Sequence, residues 1–126
     1  MTHDINIHHE DNHESASSYL VEEIRNLLVN SNRDFSIGLS GGNTPKLTYS
    51  MMAEKFDDLS KTYLWTIDDR WIEEDNDLSN QRMINEYFER TEANILKFEF
   101  TSSSPESDAK KYEDKLKSTI QIFDVA

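Results

Sequence analysis

Ser40-Gly41-Gly42-Asn43-Thr44-Pro45 is the most informative stretch of this sequence, because it joins a strand pattern to a helix pattern through two adjacent glycines. The chain has only three glycines, and all of them lie between residues 38 and 42. Adjacent glycines allow positive φ and let a ligand approach the backbone closely. Thr44 is a preferred N-cap residue and Pro45 suits the first helical position, so free N–H groups are expected to converge here.

Two interpretations of this loop follow from its residue types. It is either a tight turn that needs glycine and binds nothing, or an anion site in which N–H groups and the helix dipole hold a phosphate. The neighbouring Ser, Thr and Pro, and the scarcity of glycine elsewhere, favour the anion site. The loop is neither a Walker A sequence nor the Gly-x-Gly-x-x-Gly of dinucleotide-binding folds.

Strand and helix patterns alternate on both sides of this loop. Apolar runs that are compact or alternate with period two predict strands at residues 4–8, 35–39, 63–67, 95–100 and 120–125. Helical spacing of apolar residues predicts helices at residues 12–30, 45–56, 80–90 and 105–118. The acidic stretch between them, 68–78, is predicted to be a loop. This alternation predicts an α/β domain with a mostly parallel sheet flanked by helices.

A second cluster, Asp68-Asp69-Arg70-Trp71, directly follows the strand predicted at 63–67. Carboxylates around a lone arginine orient its guanidinium while the fork meets a ligand oxygen. The alternative is a solvated acidic loop whose surface ion pair contributes little. Paired carboxylates also suit magnesium or calcium, but the spacing does not match an EF-hand, and we predict no metal site.

The position of the two clusters favours a shared site. Ligands of open parallel α/β sheets bind beyond the carboxyl ends of the strands, and both clusters follow strands. We therefore expect the loop 40–45 and the Asp68–Arg70 segment to lie within reach of one small molecule. The four histidines (His3, His8, His9 and His13) are far from both clusters in sequence and are predicted to be partly exposed polar residues.

Composition excludes several classes of protein. The length of 126 residues suits a single domain, and 36% hydrophobic residues are enough for a packed core. The absence of cysteine excludes a disulfide scaffold and thiol catalysis. A net charge of −12 argues against nucleic-acid binding, and the apolar runs are too short to span a membrane. With a polar, acidic N-terminus that is no targeting signal, a cytoplasmic location is expected.

The two clusters also carry a family resemblance. The run from Ile37 to Pro45 resembles the Ser-Gly-Gly-x-Thr-Pro signature of the family of 6-phosphogluconolactonases and glucosamine-6-phosphate isomerases/deaminases. The run from Trp65 to Trp71 resembles the lactonase Asp-Glu-Arg segment, and Ser79-Asn80 matches the Ser-Asn that follows it. The deaminase branch carries Asp-Glu-Tyr at this place, so arginine favours the lactonase branch. Asp69 departs from the family pattern, which has Glu there.

The resemblance implies a Rossmann-like fold and hydrolysis of 6-phospho-D-glucono-1,5-lactone to 6-phosphogluconate, without metal or cofactor. Matching residue by residue, Ser40, Gly41, Gly42, Asn43 and Thr44 would bind the phosphorylated sugar lactone. The catalytic residues would be Arg70, contacting the substrate or its developing negative charge, and Asp68, orienting groups around the lactone. Two alternatives stay open, namely amino-sugar-phosphate isomerase/deaminase chemistry and a non-catalytic sugar-phosphate-binding fragment.

Length is the main departure from the family, whose enzymes are about twice as long. In them the strand resembling residues 122–126 is followed by a Gly-x-x-x-Asp-Gly-His loop with the catalytic histidine. The resemblance thus implies that residues 1–126 are the N-terminal part of a single lactonase-like α/β domain whose C-terminal half is absent. We expect weak or no activity from this chain alone, and either a monomer or self-association through an unfinished sheet edge.

Overall fold

Strands and helices alternate along the computed structural model, which describes residues 4–126. The elements are α1 (His13–Val29), β1 (Phe35–Leu39), α2 (Lys46–Lys55), β2 (Thr62–Thr66), α3 (Asn80–Phe88), β3 (Asn94–Leu96) and α4 (Pro105–Thr119). The strands form one sheet in the order β1-β2-β3, and both pairings are parallel. The prediction of an α/β fold with a parallel sheet flanked by helices is confirmed.

Three of the four helices begin at a side-chain cap. The caps Asn12, Ser79 and Ser104 accept the N–H of the residue three positions later, at 2.8, 3.1 and 3.0 Å. Such caps supply an acceptor to N–H groups that a helix start leaves unpaired, and each stabilises a helix by roughly 1 kcal/mol. Pro105 in the first turn of α4 adds a fixed φ.

The core lies between one face of the sheet and helices α1, α2 and α3. Alternate β1 residues (Phe35, Ile37 and Leu39) join Leu64 of β2 in this cluster, as a period of two requires. Close packing beside β1 also involves Gly38 and Trp65. A Cβ on Gly38 would come within 2.6 Å of the Trp65 ring, so only glycine leaves room for this indole beside β1.

Three strand predictions are wrong or only partly met. Residues 4–10 form no strand, and Ile5 is 85% exposed, because no neighbouring strand offers a partner for the alternating pattern. The segment 120–126 makes only a single parallel bridge to β1, from Val125. The strand predicted at 95–100 is confirmed only at its start, since β3 ends at Leu96.

The histidine prediction is met where the structure describes it. His8, His9 and His13 are exposed, whereas His3 lies outside the described residues. No helix in the described part of the chain is long and apolar enough to cross a membrane.

Candidate functional site

The glycine loop (residues 40–45) and the arginine loop (residues 68–71) leave the carboxyl ends of β1 and β2 and meet at Asn80, the first residue of α3. The Asn80 amide donates to the Asp68 carbonyl oxygen at 3.0 Å. On its other side, a Cβ at Gly41 would come within 2.0 Å of Asn80 Oδ1. The side chain of Asn80 therefore bridges the two loops, and only glycine leaves room for it.

The glycine loop enters α2 through a backbone turn. The Asn43 carbonyl oxygen accepts the Lys46 N–H at 3.3 Å, and α2 begins at Lys46 with Pro45 at the N-cap position. The prediction that Thr44 caps this helix is wrong, since no side chain makes a cap hydrogen bond there. Pro45 already has helical φ and ψ, so the chain turns into the helix before a threonine cap is needed.

The N–H groups of this loop are left open to a ligand. Within residues 4–126, the amides of Gly41, Gly42, Asn43 and Thr44 donate no hydrogen bond. Gly42 has a φ of +88°, a conformation that side chains with a Cβ rarely adopt. The loop thus presents unpaired donors at a helix N-terminus without a side-chain cap, which is chemistry suited to an anion.

The arginine loop is fixed to α3 by the carboxylate of Asp69. This carboxylate accepts the N–H groups of Arg70 and Asn80 at 2.8 Å and of Gln81 at 3.0 Å. Asp69, which stands where the family has Glu, therefore fixes the loop to the start of α3. Arg70 Nη1 donates to the Leu78 carbonyl oxygen at 2.9 Å, which orients the guanidinium.

A cavity of about 540 Å³ opens between the two loops and the first two turns of α3. Its lining includes Gly42, Asn43, Lys46, Arg70, Asn80 and Arg82. Gly42, Asn43 and Arg70 are thus brought together as the sequence predicts. Three other predicted residues, Ser40, Gly41 and Thr44, line an apolar cavity of about 490 Å³ with His13 instead. Asp68 is not among the residues lining either cavity.

Lys46, Asn80 and Arg82 also line the cavity, although the residue patterns of the sequence predict no role for them. Arg82 donates to the Asp75 carbonyl oxygen at 2.7 Å and pairs with Glu86 at 2.9 Å and with Asp77. The hydrogen bond to Glu86, followed by the charge of Asp77, raises the pKa of Arg82. The sequence could have predicted Arg82 from its spacing, because it lies three residues after Ser79 and residues at i+3, i+4 and i+7 share one helix face. Lys46 directly follows the glycine loop in sequence.

The cavity concentrates positive charge in an acidic chain. Lys46, Arg70 and Arg82 border it, against the carboxylates of Asp77 and Glu86. The whole chain carries a formal charge of −12, so this local excess of cations is a property of the site and not of the composition. Among the described residues, no group of three or more His, Asp or Glu side chains is placed to hold a metal ion.

Residues 8–126 match the family model described as glucosamine-6-phosphate isomerases/6-phosphogluconolactonase. The chain belongs to this family. It is 35% identical over 91 residues to a 6-phosphogluconolactonase of Synechocystis sp., covering 69% of this chain and 38% of that protein. It is 32% identical over 115 residues to a 6-phosphogluconolactonase of Thermotoga maritima, covering 86% of this chain and 52% of that protein.

Solved structures agree with the sequence relatives. A 6-phosphogluconolactonase from Shewanella baltica OS155 superposes with a TM-score of 0.83 at 26% identity, covering 92% of this chain and 53% of that one. The Thermotoga maritima structure gives a TM-score of 0.74 at 30% identity. The Rossmann-like fold is therefore confirmed. This chain spans about half the length of both solved relatives.

Proposed function

We propose that this chain forms the N-terminal part of a single lactonase-like α/β domain that hydrolyses 6-phospho-D-glucono-1,5-lactone to 6-phosphogluconate in the cytoplasm. The observation that carries the proposal is the cavity that Gly42, Asn43 and Arg70 line together with Lys46 and Arg82. An anionic sugar derivative is the class of ligand that unpaired N–H groups and guanidinium forks recognise.

The glycine loop is proposed to hold the phosphate. Its open N–H groups and the adjacent Lys46 supply hydrogen-bond donors and a positive charge within one helix turn. A phosphate oxygen accepts several such bonds at once, whereas a neutral hydroxyl of the sugar would leave donors unused. In this arrangement the lactone ring extends across the cavity toward Arg70.

Arg70 is proposed to stabilise the transition state. Water attack on the lactone carbonyl, assisted by a general base, produces a tetrahedral oxyanion, and the ring oxygen is the leaving group. One guanidinium nitrogen of Arg70 is already committed to the Leu78 carbonyl oxygen. The remaining N–H groups are proposed to donate to the developing oxyanion, since the bond to Leu78 already restricts the guanidinium. Asp68 is proposed to act by orienting groups around the lactone.

Calorimetric titration with 6-phosphogluconate tests the binding step directly. We expect saturable binding to the 126-residue chain and a loss of about tenfold or more in affinity for Arg70→Ala, since hydrogen bonds to charged groups contribute about 1.5–3 kcal/mol each. Arg90→Ala is the matched control, because Arg90 is exposed and does not line the cavity. Equal affinity of the two variants would remove Arg70 from the site.

Turnover assays separate the proposed reaction from its two alternatives. Lactone hydrolysis above the spontaneous rate supports the lactonase, and ammonia release from glucosamine 6-phosphate would select deaminase chemistry instead. Saturable binding with neither reaction would indicate a sugar-phosphate-binding fragment. Arg70 favours the lactonase, because the segment that it resembles in the deaminase branch carries tyrosine at this place.

A further inference from the structure

Two tyrosine hydroxyls hold the strand ends from which the ligand loops depart. The Tyr49 hydroxyl, from α2, accepts the Ser40 N–H and donates to the Ser40 carbonyl oxygen, both at 2.8 Å. The Tyr112 hydroxyl, from α4, accepts the Thr66 N–H at 2.8 Å and donates to the Thr66 carbonyl oxygen at 3.1 Å. Each hydroxyl therefore satisfies both backbone groups of one residue.

Both residues lie where the sheet has stopped supplying partners. Thr66 is one residue beyond the last β2–β3 pair, which joins Trp65 to Leu96. Ser40 directly follows β1, two residues beyond the N–H of Gly38 that donates to Val125. Backbone groups without a partner beside a packed core carry a free-energy penalty. The tyrosine hydroxyls thus act as the next partner in each ladder.

Ser40 and Thr66, the residues that the two hydroxyls hold, both connect to the contacts of Asn80. Ser40 immediately precedes Gly41, which packs against Asn80. On the other strand, the Thr66 hydroxyl donates to the Asp68 carbonyl oxygen at 2.5 Å, and the same oxygen accepts the Asn80 amide. A displacement at either strand end is therefore transmitted to Asn80, which lines the cavity.

We propose that Tyr49 and Tyr112 are positioning residues, whose hydroxyls set the direction in which the glycine loop and the arginine loop leave the sheet. The proposal rests on the proposed sugar-phosphate site, whose loops must be held closely to present their donors to one ligand. Burial raises the pKa of both tyrosines to about 12, so each hydroxyl keeps the proton that it donates to a carbonyl oxygen.

Phenylalanine substitution tests the proposal, since Tyr49→Phe and Tyr112→Phe remove only the hydroxyl. Tyr63→Phe is the matched control, because the Tyr63 hydroxyl makes no hydrogen bond within residues 4–126 and Tyr63 does not line the cavity beside either loop. The measurements are amide hydrogen exchange by mass spectrometry and calorimetric affinity for 6-phosphogluconate, at a temperature where circular dichroism shows every variant to be folded.

The expected result is local to each strand end. Tyr49→Phe accelerates exchange in residues 40–45, and Tyr112→Phe accelerates it in residues 66–70. Each weakens 6-phosphogluconate binding by about tenfold, the loss expected for about one net hydrogen bond. Tyr63→Phe changes neither quantity, even where it lowers the melting temperature, so a general loss of stability does not reproduce the pattern.

The outcomes separate this inference from the proposed function. Wild-type affinity in both Tyr49→Phe and Tyr112→Phe would overturn the positioning role, and so would unchanged exchange in the two loop segments. If the wild-type chain does not bind 6-phosphogluconate, the proposed function fails for this chain. Amide hydrogen exchange alone then tests whether Tyr49 and Tyr112 are positioning residues. Faster exchange at the two segments then supports the role of the two hydroxyls in setting loop geometry, and unchanged exchange overturns that role.

Discussion

Gly41 and Gly42 are required by the glycine loop for different physical reasons. A Cβ at Gly41 would lie 2.0 Å from Asn80 Oδ1, and this amide cannot retreat without losing its bond to Asp68. A Cβ at Gly42 meets no atom within 4 Å, but its φ of +88° disfavours alanine by about 1–2 kcal/mol. One glycine is thus needed for space and the other for conformation.

Alanine substitution at the two positions should therefore give different results. We expect Gly41→Ala to abolish detectable 6-phosphogluconate binding, because it separates the two loops. Gly42→Ala is expected to lower the free energy of unfolding by about 1–2 kcal/mol and to weaken binding less. Urea unfolding and calorimetry measure the two effects. Stronger loss of binding in Gly42→Ala than in Gly41→Ala would contradict the steric role of Asn80.

At the residue scale, the sequence predicts the hydrogen-bond donors of the site better than the contacts that hold those donors in place. Glycine pairs and a lone arginine among acids are visible in the letters, and the structure brings Gly42 and Arg70 to one cavity. The Thr44 cap failed because a backbone bond from Lys46 to Asn43 replaces it. Asn80 bridges the loops through a tertiary contact that no local pattern encodes.

At the scale of elements, helix α4 reaches the arginine loop through Asp108. This buried carboxylate accepts the Thr101 N–H at 2.8 Å, the Thr101 hydroxyl at 2.5 Å and the Trp71 indole N–H at 3.0 Å. The Thr101 bonds, followed by that of Trp71, lower the pKa of Asp108. The charged carboxylate therefore stabilises the folded state, and protonation weakens this attachment.

The pH dependence of stability follows from the direction of this shift. A folded-state pKa below the unfolded value of about 4 means that the contribution is complete above that value and is lost as pH falls through the folded value. Asp108→Asn should be less stable than wild type at neutral pH, with a smaller difference at about pH 3. Urea unfolding at both pH values measures this, with Asp114→Asn as the exposed control on the same helix. A difference independent of pH would contradict the role of the charge.

Helices were predictable because their signals are local, whereas strands depend on partners. Apolar spacing and capping residues place α1 and α4 within a few residues of their observed bounds. Residues 4–8 carry a strand pattern but form none, since a period of two does not report whether a neighbouring strand exists. β3 likewise ends at Leu96, and the Tyr112 hydroxyl takes the next position beside β2.

At the scale of the whole molecule, side chains attach the segment 120–126 to the outer edge of β1. Arg33 forms an ion pair with Asp124, and the other Asp124 oxygen accepts the Ser36 N–H at 2.9 Å. The backbone adds a parallel bridge at Val125, where the Gly38 N–H donates to the Val125 carbonyl oxygen at 2.8 Å and the Val125 N–H donates to the Ser36 carbonyl oxygen at 3.2 Å. A sheet edge left uncovered is a template for pairing with another chain, and the Asp124 side chain strengthens the attachment that covers β1.

Asp124→Ala should therefore loosen the segment that covers the edge of β1 and open this edge more often. We expect exchange at the Ser36 and Gly38 amides to accelerate by about tenfold, because a hydrogen-bonded charge contributes about 1.5–3 kcal/mol. We also expect concentration-dependent self-association of the variant in sedimentation velocity, with the wild-type chain monomeric. Asp57→Ala, at an exposed loop position, is the control. A variant that exchanges faster but stays monomeric would separate the two effects, because self-association through β1 then requires more than an open edge.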